Sequence, residues 1–219
     1  LRIGWILARH GAVFPLRDAG IAPIFTTLAY AIPTKSRQRR PGERLAAALH
    51  ALGPSFIKFG QLLSTRPDIL GEEVTRDLTG LQDSLPPFST TEAKRIIEHE
   101  LGAPINTLFA TFDDTPVAAA SIAQVHFATT QDGKDVAVKI LRPHIQDALK
   151  ADLNLFYWIA EQLERVRPHM QRLKPREVVD TLKSAVAMEL DLRLEAAAAD
   201  ELRQNTQHDV GFRVPAVLW

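Results

Sequence analysis

Between residues 117 and 141 the hydrophobic period of the chain changes, and this change constrains the fold more than any other feature. Val117 to Ala128 and Val136 to Leu141 are strand-type runs joined by Asp132-Gly133-Lys134, a sequence suited to a hairpin turn. Almost everything around them has helical spacing. Upstream, Leu45, Ala48, Leu49 and Leu52 recur at helical intervals from Gly42 until Gly53 stops the pattern. Pro54 suits the first turn of a second helix, Pro54 to Thr65, and Glu72 to Gln82 continues helically before Pro86-Pro87. Thr91 to Leu101 reads as another helix, which Thr91 can cap and Gly102 can end. Downstream, helical patterns run from Ile145 to Arg167 and from Pro175 to Asn205. The expected class is α+β, a small antiparallel sheet with helices packed on it.

Several function classes are excluded by composition. Lys plus Arg total 26, as do Asp plus Glu, so the chain is not a strongly basic nucleic-acid binder. With no cysteine there is no disulfide framework, thiolate zinc site or cysteine nucleophile. The seven histidines show no metal-ligand spacing, so no metal site is assigned and His126 reads as structural. No GxSxG elbow, Walker loop or GxGxxG occurs.

In the first 33 residues the most apolar part, Ala19 to Ile32, is interrupted by Pro23, Thr26 and Thr27, too broken for a spanning helix. It reads as a short amphipathic segment lying on a membrane or on the domain. Thr34 to Pro41, with Lys35, Arg37, Arg39 and Arg40, reads as a solvated basic connector. The chain starts at Leu1 rather than Met and stops at Trp219, just after the strand-type run Arg213-Val-Pro-Ala-Val-Leu, so a fragment is expected.

Four groups of residues could carry chemistry. In Val136-Ala137-Val138-Lys139-Ile140 the alternation sends Val136, Val138 and Ile140 to one face and Ala137 and Lys139 to the other. A mid-strand lysine needs an anion or water; alone, it reads more readily as an edge-strand charge that discourages aggregation. Ala118-Ala119-Ala120-Ser121, one hairpin upstream, is a small-residue loop suited to close ligand approach or to a tight turn. Glu189-Leu190-Asp191-Leu192-Arg193-Leu194-Glu195 places Asp191 and Glu195 four apart, where two carboxylates on one helix face repel. The apolar residues around them, including Ala196 to Ala199, predict a well-buried helix whose carboxylates need cations, with Lys139 the natural candidate. Last, Ser55, Lys58 and Gln61 fall on one stripe of the helix after Pro54. It reads either as the wet side of an amphipathic helix or as a polar stripe facing a site, with Gly60 permitting close approach.

Together these motifs resemble the UbiB family of atypical kinase-like proteins linked to ubiquinone (coenzyme Q) biosynthesis. The resemblance is carried by Lys58-Phe59-Gly60-Gln61 (the family's KxGQ), Ala118-Ala119-Ala120-Ser121 (its alanine-rich loop), Val136-Ala137-Val138-Lys139, and Glu189-Leu190-Asp191 (its ExD) followed by Glu195. The segments Leu62-Leu63-Ser64-Thr65-Arg66-Pro67-Asp68 and Leu81-Gln82-Asp83 add to it, and the likeness runs from about Gly42 to the end.

What the resemblance implies is a protein-kinase-like N-lobe over residues 113–219 with an ExD helical insert. Ahead of it would lie a helical KxGQ extension over 42–112 and an apolar and basic segment over 1–41. Lys139 would contact nucleotide phosphates with Glu195 paired to it, and Ala118, Ala119, Ala120 and Ser121 would cover the nucleotide. Lys58 and Gln61 would meet Glu189 and Asp191 over the pocket where ordinary kinases seat a protein substrate, suppressing protein phosphorylation. The activity implied for the full-length protein is that of an atypical kinase-like ATPase or phosphotransferase. It would use ATP and Mg2+ and couple hydrolysis to handling of a polyprenyl-phenol ubiquinone precursor. A non-catalytic lipid-binding scaffold is the alternative. Implied partners are the membrane surface and ubiquinone-biosynthesis proteins, at the cytoplasmic side of a bacterial inner membrane, with no nucleic acid. The family's catalytic-loop Asp and Asn and its metal-binding Asp lie in a second lobe. No His-Arg-Asp or Asp-Phe-Gly occurs here, so this stretch is expected to lack catalysis by itself.

Overall fold

The computed structural model describes residues 2–18, 20, 23–31, 34–81, 85–166 and 168–219. The expectations for Ala19, Ile32, Gln82, Asp83 and Arg167, and for the side chains of Lys35 and Arg37, lie outside the described residues.

Helices come first in chain order. They are α1 (Arg2–Arg9), α2 (Phe14–Asp18), α3 (Pro23–Ala31), α4 (Pro41–Leu52), α5 (Pro54–Leu63), α6 (Pro67–Leu70), α7 (Glu72–Leu78), α8 (Thr90–Leu101) and α9 (Ile105–Leu108). The boundaries follow local chemistry. Gly53, at φ 113°, closes α4 and lets Pro54 open α5 in a new direction. Ser89, rather than Thr91, caps α8 by accepting from the Glu92 amide, and Gly102 ends it in the left-handed region. The helix expected to reach Gln82 ends at Leu78.

The sheet has four strands: β1 (Phe109–Phe112), β2 (Ala118–Ala119), β3 (Ala123–Thr130) and β4 (Asp135–Leu141). β3 is the central strand. β4 pairs with it antiparallel from Ala123↔Leu141 to Thr129↔Asp135, and β1 and β2 lie end to end along its other edge. The expected run Val117 to Ala128 is thus two strands separated by a tight turn. β1 adds a strand where helix was expected and begins ahead of residue 113.

Pairing fixes the faces of the sheet, because directly opposed residues share one. Gln124, His126, Val138 and Ile140 point to one side, where α8 packs with Ala93 and Ile97. His126 is fully buried there, and its partners assign its tautomer. Nδ1 donates to the Asp113 carbonyl, and Nε2 accepts from the Gln124 amide, whose Oε1 in turn accepts from the Phe88 amide. Ala118, Val125 and Lys139 form one cross-strand row on the opposite face.

After the sheet come α10 (Ile145–Val166), α11 (Pro175–Leu190) and α12 (Leu192–Asn205). The expected continuous helix from Pro175 to Asn205 is broken at Asp191, whose φ/ψ of −94°/90° is extended. The run 213–218 forms no strand and is largely exposed. One core joins the helices before and after the sheet. Leu45, Leu49, Phe56, Ile57 and Leu78 pack with Leu149, Phe156, Val179, Leu182 and Val186. Ile57, Leu78 and Leu149 are almost wholly buried, each contributing about 1.5–3 kcal/mol of hydrophobic stabilisation.

Candidate functional site

Lys139 lies in the middle of β4 on the face away from α8. Its Nζ is 2.5 Å from Glu195 Oε2, in the first turn of α12. A carboxylate there is favoured by the helix dipole as well as by the lysine. The side chains are 37% and 56% exposed, so the pair adds at most about 1 kcal/mol to stability. Its value is positional: it ties the sheet to α12 and holds a reachable cation on the sheet face.

The expectation of a buried helix carrying stacked carboxylates is corrected by the structure. α12 has no buried residue, and Ala197 and Ala198 are exposed. Its inner neighbour is α11, to which it is joined end to end, so its apolar positions remain on the surface. Asp191 and Glu195 do not share a helix face either. Asp191 is the N-cap of α12, accepting from the Arg193 amide at 3.1 Å, while the Arg193 guanidinium grips both carboxylate oxygens at 2.9 Å. That pairing, with the backbone hydrogen bonds, holds the Asp191 carboxyl below the usual carboxylate range. Arg193 therefore neutralises Asp191.

Glu189 belongs to the last turn of α11, where the helix dipole disfavours a negative charge. Lys58 Nζ from α5 lies 2.9 Å from its Oε2 and offsets that cost, with the lysine side chain only 14% exposed. The other members of the Lys58 stripe go elsewhere. Gln61 Nε2 donates to the Leu81 carbonyl at 3.3 Å, and Ser55 Oγ donates to Asp152 Oδ2 at 2.5 Å. Of the KxGQ and ExD residues, then, the structure brings Lys58 and Glu189 together, while Gln61 and Asp191 have separate partners. Gly60 does permit close approach, but to protein. A Cβ there would meet Leu49 Cδ1 at 2.6 Å and Leu81 Cδ2 at 2.7 Å.

Ala118 and Ala119 form β2 and share the sheet with Lys139. Ala118 is two strands from Lys139 along one row, roughly 10 Å at ordinary strand spacing. Ala120 turns the chain, its amide donating to the Ala123 carbonyl. Ser121 is fully buried, and its Oγ has no hydrogen-bond partner among the described residues. It points into the protein, so as placed it does not fit the nucleotide-covering role that the resemblance implies. Ala118 is exposed on the Lys139 face.

One residue central to this loop carried no sequence signal. Arg142, just past β4, donates from Nε and Nη2 to the Ala120 carbonyl at 3.0 and 2.8 Å. From Nη2 it also reaches the Pro86 carbonyl at 2.9 Å and the Leu85 carbonyl at 3.3 Å. It clamps the alanine-rich turn to the segment leading into α8, and its partial burial lowers its pKa. Only the fold brings Leu85, Pro86 and Ala120 around it.

The Lys139–Glu195 pair occupies an open face rather than an enclosed crevice. Two cavities, one toward the β3–β4 turn and one among the helices, have neither Lys139 nor Glu195 on their walls. Among the described residues no group of three or more His, Asp or Glu is placed to hold a metal ion.

A lysine on a strand, met by a helix glutamate beside a small-residue β-turn, is the arrangement of a kinase-type N-lobe. Residues 80–219, more than half of the chain, match the ABC1 atypical kinase-like domain. The chain belongs to the ABC1 atypical kinase-like family. Similar curated proteins carry the name probable protein kinase UbiB. That of Marinobacter nauticus is 43% identical over the whole of this chain and 40% of its own length. That of Shewanella loihica is 50% identical over 75% of this chain and 30% of its own, and that of Vibrio cholerae is 46% identical over 81% and 33%. Among solved structures, the complex of Rv3197 with erythromycin from Mycobacterium tuberculosis superposes with a TM-score of 0.51 at 38% identity. It covers 78% of this chain and 43% of that one. The chain therefore spans between 30% and 43% of the length of these relatives. The ABC1 match includes the alanine-rich loop, Lys139, Glu189, Asp191 and Glu195. Lys58 and Gln61 precede it, within the stretch shared with the Marinobacter protein.

Proposed function

We propose that this chain is the nucleotide-binding part of a kinase-like ATPase that supports ubiquinone biosynthesis. It would couple ATP hydrolysis to handling of a polyprenyl-phenol lipid at the cytoplasmic surface of a bacterial inner membrane. The observation that carries the reading is the Lys139–Glu195 pair at 2.5 Å, on the sheet face that also exposes Ala118. The names of the curated relatives support the pathway.

In this reading ATP supplies the free energy of phosphoanhydride cleavage, and the chain's residues position it. Glu195 orients the Lys139 ammonium toward the phosphates, and the exposed Phe127 with Ala118 and Ala137 offers an apolar floor on one face. Methyl groups in the loop keep phosphate oxygens further from the backbone amides than glycine would. The Lys58–Glu189 bridge ties α5 to the end of α11 beside the Asp191 break, restricting what can approach from that side.

The test is ATP affinity of the full-length protein against Lys139→Ala. A loss of at least tenfold is expected, and an unchanged affinity refutes the reading. The second reading, a non-catalytic lipid-binding scaffold, is favoured by a large apolar cavity among the helices. ATP turnover stimulated by lipid decides against it.

A further inference from the structure

The turn between β3 and β4 holds the chain's one Asp-Gly pair, Asp132-Gly133. In such a pair the Gly133 amide nitrogen is the nearest main-chain nucleophile to the Asp132 side-chain carboxyl, and no Cβ on the glycine shields it. Attack forms a bond from that nitrogen to Asp132 Cγ, closes a succinimide ring and expels one water. A second water then opens the ring. Addition at the side-chain carbonyl regenerates aspartate, whereas addition at the main-chain carbonyl breaks the original peptide bond and leaves isoaspartate. The net change is an isomerisation at constant mass, after which the backbone runs through Cβ and Cγ and is one atom longer.

We infer that Asp132 is a latent site of aspartyl isomerisation, which the folded turn holds shut through Thr130 and Lys134. The inference is independent of what binds at Lys139. Three observations carry it. First, the nucleophile is engaged, because the Gly133 amide donates to the Thr130 carbonyl at 3.0 Å. Second, the electrophile is engaged as well. Lys134 Nζ lies 2.6 Å from Asp132 Oδ2, and Thr130 Oγ1 donates to Oδ1. The lysine first and the threonine second hold the carboxyl below the usual carboxylate range. Ring closure expels the hydroxyl of the neutral acid as water, so a paired carboxylate is a poor electrophile for it.

Third, the turn is framed by hydrogen bonds that ring closure must break. The Thr130 amide donates to the Lys134 carbonyl at 2.9 Å, and the Lys134 amide donates to Thr130 Oγ1 at 3.0 Å. Asp132, Gly133 and Lys134 are themselves exposed, so water reaches the ring once the frame opens. The consequence of isomerisation falls on the sheet. The β3–β4 ladder starts beside this turn at Thr129↔Asp135 and runs through Val125↔Lys139. Turn geometry sets that register, so one extra backbone atom at Asp132 breaks the Thr130–Lys134 closure and frays the strand that carries Lys139 from that end.

The experiment incubates the full-length protein in warm, mildly acidic buffer, both native and in urea, and measures isoaspartate at position 132 by electron-transfer fragmentation of the isolated peptide. Methylation by an L-isoaspartyl methyltransferase gives a second count. The expected result is accumulation in urea roughly tenfold or more faster than in the native protein, because the folded turn reacts only through local opening. Lys134→Ala and Thr130→Val should each speed the native reaction about fivefold, the factor that loss of one hydrogen bond carries. Thr130→Ser and Lys134→Arg keep the contacts and should retain the protection. All variants are compared below the temperature at which circular dichroism shows any of them melting, so that a faster rate reports the turn and not global unfolding. Equal rates for the wild type in the native state and in urea overturn the protected turn. Native rates in both Lys134→Ala and Thr130→Val that match the wild type overturn the roles given to those side chains. Absence of isoaspartate in urea overturns the site itself.

Discussion

Replacing Asp191 with alanine removes the N-cap of α12 and the bidentate grip of Arg193 in one step. Loss of an N-cap costs about 1 kcal/mol. In most helices tertiary packing would absorb part of that loss, but α12 has no buried residue. Its fourteen residues are near the length at which an isolated helix is marginal, so the cost falls on local fraying rather than on global unfolding. About 1 kcal/mol corresponds to a roughly fivefold larger open population. Amide hydrogen exchange over 192–198 should therefore quicken about fivefold in Asp191→Ala, with the core of α4, α5 and α10 unchanged. Glu195 sits in the affected turn, so ATP affinity should fall by a similar factor at most. Asp191→Asn retains a capping oxygen and should restore most of the protection. If the asparagine variant exchanges as fast as the alanine variant, the capping argument is wrong. If it recovers protection but loses turnover in the full-length protein, the carboxylate has a chemical role beyond the cap.

Three further outcomes follow from the packing. Burial raises the Asp152 pKa despite the Ser55 hydrogen bond, so the folded protein holds this proton more tightly than the unfolded chain and stability rises as pH falls through the raised value. Asp152→Asn should therefore melt at a higher temperature at pH 7, with the gain vanishing below about pH 4, where aspartate is protonated in both states. Gly60→Ala should destabilise despite a helix-propensity gain of up to about 1 kcal/mol, because crowding against Leu49 and Leu81 costs about 1–3 kcal/mol. Adding Leu81→Ala should make the pair less than additive in urea denaturation. Arg142→Lys cannot reproduce the forked contacts to Ala120, Leu85 and Pro86. It should quicken amide exchange at Ala120 and Ile122 and weaken ATP binding, whereas unchanged exchange would remove the clamp from the account.

Much of the site was legible in advance because it depends on short-range order. Strand alternation alone put Lys139 opposite Val138 and Ile140, and Asp132-Gly133-Lys134 announced the hairpin that sets the β3–β4 register. What misled was hydrophobicity read without context. The Leu and Ala residues after Asp191 have the composition of a buried helix, yet burial depends on what packs against them, and α12 meets little beyond α11. Asp191 also has an ordinary helical position in the sequence pattern. That it breaks the helix follows from its side chain competing for the Arg193 amide, a choice that propensity leaves open.

The local pattern of this chain, with period-two residues around Lys139 and period-3.6 residues nearly everywhere else, determined its class and the list of charged residues worth following. Tertiary structure decided which of those charges meet. Glu195 reaches Lys139 across 56 positions of sequence, Lys58 reaches Glu189, Gln61 turns to a backbone carbonyl, and Arg142 gathers three carbonyls from two segments. The physical reason is range. Backbone sterics and side-chain alternation act over a few residues, whereas ion pairs and cavity walls exist only once packing has brought distant elements within a few ångströms.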